Sequence, residues 1–339
     1  MQHARAMKFE MPASIPMSLQ SGPFRVADAL AAGLSERWLR GPGLSVPTRG
    51  VRSWSVPETL LDRARSFATG VVGDFAFSHI TAAQLLGIPL SYSVEDDPRL
   101  HIIRPTTANR VRRDGVAGHR GLELREVVMV HGLPVVAAPD TWVDLGELVG
   151  PLKPVGLDDL VVAGDVIVNR LGSRRPLKAA LERRCRPRGK VTLSHALIWV
   201  RVGSRSPMET RTRLMLVRAG LPEPGLNQHV ISRDGLWLAW SDFVWKRKRV
   251  VGEFNGREFH SGAEQEAYDE ARRLGLVDDD WIVIVVVRDD VFESAARDAK
   301  LREFAVALGV DPSGLDLIGA APQFLAPRQF APPRRPRAA

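Results

Sequence analysis

From residue 206 onward the spacing of apolar positions changes several times, and each change marks an element. Ser206-Pro207-Met208-Glu209 opens a helix running to about Ala219, with Met208, Met215, Leu216 and Ala219 on one face and Gly220 as its stop. Leu226 to Ile231 reads as a strand, and Arg233-Asp234-Gly235 as a hairpin turn. Leu236 to Val244 is apolar on both faces, as a strand buried in a sheet would be. Arg249 to Phe254 is a third strand, closed by Asn255-Gly256; Glu264 to Leu276 is a polar helix. Trp281 to Val287 (WIVIVVV) predicts a fully buried strand, and Glu293 to Leu308 a last helix. The order is α-β-β-β-α-β-α over residues 195–310.

The pattern ahead of this domain is shorter in range. Phe24 to Ala32 is a short helical pattern stopped by Gly33, and Ser35 is the N-cap of a second helix through Arg40, stopped by Gly41. Strand-like residues 45–54 follow, with a turn near Arg49-Gly50. Together they predict a winged helix-turn-helix over residues 17–60, in which Arg37, Arg40, Arg49 and Arg52 meet phosphates or a groove. A small packing module with ordinary surface arginines is the other reading of the same residues. Residues 75–170 read as an α+β middle domain: a helix from about Ser78 to Gly87, strands at Leu100 to Ile103 and Val127 to Val130, and helices at Thr141 to Leu148 and Leu157 to Arg170. His79, His101, His119 and His131 are scattered through it with no ligand-like i,i+4 pair and read as structural. Residues 171–194 are expected to be a basic exposed helix and linker, and 319–339, rich in Pro, Arg and Ala, a disordered tail.

Composition narrows the classes. A chain of 339 residues accommodates two or three domains, and 45% apolar residues supply a sizeable core. One cysteine, Cys185, excludes an internal disulfide framework and a cysteine-based zinc site. There is no apolar run of membrane-span length and no secretory pattern at the start, so a soluble, cytoplasmic protein is expected. The net charge of +8 is unevenly spread. Residues 168–190 hold nine Lys/Arg against Glu182 alone, and Arg328, Arg334, Arg335 and Arg337 add four more charges, leaving the remainder net −4. Clustered positive charge suits a polyanion such as nucleic acid; a solvated helix face and a disordered tail are the other reading.

The candidate chemistry concentrates in residues 240–260, WSDFVWKRKRVVGEFNGREFH. Asp242 lies on one strand and Glu253 on the next, with Asn255 at i+2 on the Glu253 face and His260 beyond. Carboxylates on adjacent strands are what a hard divalent cation needs, since Mg²⁺ takes oxygen ligands. Lys246, Arg247, Lys248 and Arg249 lie between them, and an acidic metal cradle beside a basic strip points to phosphodiester chemistry on nucleic acid. His260 titrates near neutrality and suits a general acid or base. Arg272 and Arg273 on the following helix could face a phosphate, although Asp269 and Arg273 also make an ordinary i,i+4 surface pair.

The element order, with Asp on the second strand and Glu on the third, resembles the PD-(D/E)XK nuclease superfamily. The segments SPMETRTRLMLVRAGLPEPGLNQ, SDFVW, VVGEFNGREFH and YDEARRLGL with WIVIVVV are similar to very-short-patch-repair-endonuclease-like domains, over about residues 195–310. GPFRVADALAAGL and FSHITAAQLLGIPL resemble the amino-terminal half of AbiEi-type antitoxins of type IV toxin–antitoxin systems, over about residues 17–165. The resemblance implies a mixed α/β (α+β) chain: a restriction-endonuclease-like C-terminal domain preceded by a small winged helix-turn-helix and the middle domain. It further implies DNA as partner and Mg²⁺ or Mn²⁺ held by Glu209, Asp242 and Glu253. Glu209 also completes a capping box with Ser206, which alone accounts for it. Asn255 stands where the superfamily usually has Lys, and it carries neither that charge nor a base. The alternative is therefore a non-catalytic DNA-binding regulator, or an antitoxin-like repressor with a decayed nuclease fold and a cognate toxin protein as partner.

Overall fold

A computed structural model describes residues 15–91, 94, 97–150, 153–256 and 272–323. His260, residues 264–271 of the expected helix and the tail beyond 323 lie outside the described residues. Contacts divide the chain into two compact units, residues 1–86 with 97–137 and residues 87–96 with 138–339. The fold is mixed α+β with several sheets. No helix among the described residues is long and apolar enough to cross a membrane.

The first unit begins with α1 (Met17–Gln20), β1 (Phe24–Arg25), α2 (Val26–Ala31), α3 (Glu36–Leu39) and β2 (Val51–Arg52). The helix expected from Phe24 starts two residues later, because Phe24 and Arg25 pair antiparallel with Arg52 and Val51. Ser35 does cap α3, accepting from Trp38 N at 3.2 Å. Leu19, Phe24, Ala29, Leu34, Leu39 and Leu44 form the core here, and Trp54 bonds Leu19 O at 2.7 Å. Next come α4 (Leu60–Gly70), β3 (Ala76–Phe77), α5 (His79–Leu85), β4 (Leu100–Arg104), β5 (Val116–Arg120), β6 (Val127–Val130) and β7 (Leu133–Val136). Their sheet has the order β5-β4-β3-β7-β6, with β4 and β5 parallel, and its core gathers Phe67, Phe77, Ile102 and Val135.

The second unit opens with four helices: α6 (Ala138–Leu145), α7 (Leu157–Leu171), α8 (Arg175–Arg183) and α9 (Lys190–Trp199). The stretch expected as an exposed helix and linker is instead packed along one face. Leu177, Ala180 and Leu181 are buried, Arg183 donates to Asp140 at 2.7 Å, and Arg184 is paired with Asp144. Two of the nine clustered basic residues are thus paired with acids of α6. Buried ion pairs tie α7 to α10 (Pro207–Arg218). Arg213, fully buried, donates to Asp165 at 2.8 Å, Arg218 donates to Asp158 at 2.7 Å, and Arg211 pairs with Asp159.

After α10 come β8 (Gly225–Ile231), β9 (Trp237–Trp245), β10 (Val250–Phe254), α11 (272–278), β11 (Ile282–Val286), α12 (Arg288–Phe292) and α13 (Ser294–Leu308). The expected element order holds, with the short helix α12 added ahead of the last helix, which starts at Ser294, one residue from the expected Glu293. β8, β9 and β10 form an antiparallel meander and β11 joins β10 in parallel, giving the order β11-β10-β9-β8. Gly252 lies in close packing: a Cβ there would lie 3.1 Å from the Phe304 ring and 3.2 Å from that of Phe243. Two expectations of full burial are corrected. β11 is at the end of the sheet order, with Ile284 and Val286 on the core and Ile282 47% exposed. β9 alternates, burying Ala239 and Ser241, before a buried end from Phe243 to Trp245; Leu236 and Trp237, ahead of and at its start, are exposed.

Candidate functional site

The last ladder pair between β9 and β10 is Phe243 with Gly252. Beyond it the two strands are joined through side chains: Phe254 N donates to Asp242 Oδ2 at 2.8 Å, and Ser241 Oγ donates to Glu253 Oε1 at 3.1 Å. Both carboxylates therefore replace regular sheet bonding at the same place. From α11, Arg272 donates to Glu253 Oε2 at 2.8 Å and to Trp240 O at 3.2 Å.

Glu209 reaches this region from the first turn of α10. Ser206 accepts from Glu209 N at 3.1 Å, so half of the expected capping box forms. The Glu209 carboxylate accepts from Arg205 N at 2.8 Å, outside the cap, and from Asn227 Nδ2 at 2.6 Å. Asn227 also donates to Gly203 O at 2.9 Å and accepts from Trp240 Nε1 at 3.1 Å. It thereby ties a helix, a loop and a strand around one amide. Arg205 lies over the Trp240 ring at 4.3 Å. Trp245, by contrast, packs in the core against Phe304.

The electrostatics couple the three acids. The Asp242 carboxyl is raised from its ordinary value to about 6, first by burial and then by the charges of Glu209 and Glu253. The Phe254 N–H and the Arg272 charge oppose the shift without cancelling it.

The remaining expected residues are dispersed. Asn255 is exposed just past β10, with its N–H bonded to Val286 O at 2.8 Å. Lys246, Arg247 and Lys248 are exposed in a 3₁₀ turn that begins four residues after Asp242, past the end of β9. Arg249 is turned to Asp279 and lies 4.9 Å from the Trp281 ring centre. Arg273 is exposed on α11. In the first unit, Arg37 and Arg49 are exposed, Arg40 pairs with Glu36 at 2.6 Å, and Arg52 bonds Leu39 O at 2.6 Å.

Reading the histidines as scattered is corrected. His79, His101 and His119 come together in the first unit, each offering a ligand atom within 4.8 Å of the others, and the group is capable of coordinating a metal ion. His79 heads α5, and His101 and His119 lie on the parallel strands β4 and β5, where His101 pairs with Ala117 and Ile103 with His119. That register sets the two rings on one face as diagonal neighbours. Burial depresses His101 to about 4 and His119 to about 2, with charge from neighbouring histidines adding to it, so both are neutral at physiological pH. Sequence spacing could not show a meeting made by strand pairing. Asn227 left a weak signal, an amide inside a strand where Asn is disfavoured.

No protein-family model and no solved structure matches the chain. Over 120 residues it is 31% identical to uncharacterized protein MT2308 of Mycobacterium tuberculosis strain CDC 1551 / Oshkosh, and equally to uncharacterized protein Rv2248 of strain ATCC 25618 / H37Rv. Each match covers 35% of this chain and 43% of the relative, so less than half of either relative is spanned.

Proposed function

We propose that the second unit is a Mg²⁺- or Mn²⁺-dependent deoxyribonuclease-like domain, and that the chain is a cytoplasmic DNA-binding protein that hydrolyses phosphodiester bonds. One observation carries this reading: Asp242 and Glu253 meet where the β9–β10 ladder ends, Asp242 accepting from Phe254 N and Glu253 from Ser241 Oγ, and the charges of Glu253 and Glu209 raise the proton affinity of Asp242. Oxygen donors that hold a proton in this way suit a hard divalent cation. Asp242 and Glu253 would hold the ion, with Glu209, fixed by Asn227, assisting. When bound, it would supply an acidified water and offset charge on the phosphate. Asn255 would donate to that water or to a phosphate oxygen, and His260 would act as acid or base. The helix, antiparallel meander, helix and parallel strand support a PD-(D/E)XK reading. The two short helices with paired β1 and β2 support a winged helix, in which Arg37, Arg40, Arg49 and Arg52 meet DNA alongside Lys246, Arg247, Lys248, Arg249, Arg272 and Arg273.

Two observations favour a second reading, a non-catalytic DNA-binding regulator or type IV antitoxin-like repressor whose partners are DNA and a cognate toxin protein. Arg272 already neutralises Glu253, and Asn255 brings no charge to orient water. Plasmid nicking with Mg²⁺ or Mn²⁺ separates the two. The nuclease reading expects metal-dependent nicking that falls about 100-fold or more in Asp242→Ala and Glu253→Ala, with DNA affinity nearly unchanged. Intact binding with no nicking by the unaltered chain selects the regulator.

A further inference from the structure

The three histidines belong to the first unit, and the nuclease reading makes no use of them. We infer that His79, His101 and His119 form a three-nitrogen site for Zn²⁺, with Asp97 orienting His101 from behind.

Three observations support it. The first is the meeting of the rings. His101 Nδ1 is 3.1 Å from His119 Nε2, and the His79 and His119 rings stack at 3.6 Å between centroids. Ligand nitrogens on a tetrahedral ion with bonds of 2.0–2.1 Å lie about 3.3 Å apart. One pair is already at that spacing, and the third nitrogen lies within 4.8 Å of both; because an imidazole binds in its ring plane, the His79 ring would turn out of its stack on His119 to face the ion.

The second is the partner behind the ring. Asp97 Oδ2 is 3.4 Å from His101 Nε2, and Arg99 holds the same carboxylate through two hydrogen bonds of 2.9 and 2.7 Å. An ionised carboxylate only accepts, so Nε2 carries the hydrogen and Nδ1 presents its lone pair toward His119. A carboxylate that fixes the tautomer of a metal-binding imidazole is the usual arrangement around zinc. Ser78 Oγ stands in a similar place, 3.0 Å from His79 Nδ1.

The third is backbone strain. His79 is fully buried and has φ of +51°, in the left-handed region that residues with a Cβ avoid. Such strain persists where surrounding structure or a ligand enforces it. The bond from Ser78 N to His101 O at 2.9 Å and that from His101 N to Thr81 Oγ1 at 2.8 Å lock the turn to β4.

The donor set selects the ion. Neutral imidazoles suit zinc and other late first-row metals, whereas Mg²⁺ requires oxygen. The competing arrangement is a hydrogen-bonded trio with no ion, in which His119 Nε2 donates to His101.

Titration of the untagged, metal-stripped full chain with Co²⁺, followed by its visible absorption, distinguishes them. The expected result is one equivalent of tetrahedral Co²⁺, displaced by Zn²⁺ and unaffected by excess Mg²⁺. His119→Gln is expected to abolish the band. Asp97→Asn, at a residue that would not itself bind the ion, keeps the test valid should the histidine variant misfold, and is expected to weaken Co²⁺ binding about 10–100-fold. His229→Gln, in the second unit, is the unaffected control. No stoichiometric Co²⁺ band in the unaltered chain overturns the site, as does full affinity in both His119→Gln and Asp97→Asn.

Discussion

Asp242 is held at an energetic cost in the metal-free chain. Its folded pKa is about 6 against an ordinary 3.8. Between those values the folded state binds more protons than the unfolded state, so stability falls as pH rises through this window and stays reduced above it. Asp242→Asn removes the buried charge and keeps an oxygen for the Phe254 N–H. In EDTA it is expected to stabilise the protein by about 1–3 kcal/mol near pH 7.5 and to lose that advantage near pH 3.5. Urea unfolding at the two pH values checks this; a destabilised variant near pH 7.5 would contradict the assignment. Asp242 and Glu253 were legible because strand-like runs in the sequence carried them side by side. Their coupling to Glu209 was only half legible, since the capping motif predicted where Glu209 sits but not that Asn227 turns its carboxylate. The histidine group was not legible at all, because residues 79, 101 and 119 meet through the pairing of β4 with β5 and the turn into α5.

At the scale of elements, the α7–α10 contact rests on charges with almost no access to water. Arg213 and Asp165 are both buried, and Asp165 also accepts from Thr210 Oγ1 at 2.9 Å and Arg201 N at 2.7 Å. Burial still pushes the Asp165 carboxyl up, with Arg213 opposing. Removing one partner leaves the other charged and unsolvated. Asp165→Ala is therefore expected to cost about 3–5 kcal/mol in urea unfolding, and combining it with Arg213→Met to recover most of that loss. A double variant no more stable than the single one would show that the pair contributes more than mutual neutralisation. The sequence signal was three acids, Asp158, Asp159 and Asp165, among residues that are otherwise apolar from Leu157 to Val168. Hydrophobic period revealed the helix, but period says nothing about which basic residues lie opposite. The same limit explains β3 and β7: two- and four-residue strands are too short for alternation to distinguish them from loop, and the parallel pairing of β5 comes from tertiary context.

At the scale of the molecule, these ion pairs decide where a functional piece of the chain begins. The motif order led the sequence reading to start the last domain at residue 195. The acids that neutralise Arg211 and Arg218 lie ahead of that point, on α7, and so does Asp165, which is 2.8 Å from Arg213 while Glu223, within the fragment, is 4.0 Å from it. Asp158 additionally accepts from Gln323 N at 2.9 Å, which fastens the far end of the unit to the same helix. A fragment of residues 195–339 would keep its whole sheet and both β-strand carboxylates, yet leave three arginines, two of them buried in the intact unit, facing an exposed apolar surface where α7 had been. A fragment of residues 138–339 retains every one of these pairs. The shorter fragment is expected to lose cooperative unfolding and bind a hydrophobic dye, and the longer one to unfold in a single transition, both followed by urea titration with circular dichroism. Equal stability of the two would mean that α10 finds solvent or internal partners for its arginines and that α7 is an attachment to the sheet domain. The expected difference would instead make the α7 acids part of the scaffold that places Glu209, because Glu209 and Arg213 stand one turn apart on the same helix and a shift of α10 moves both.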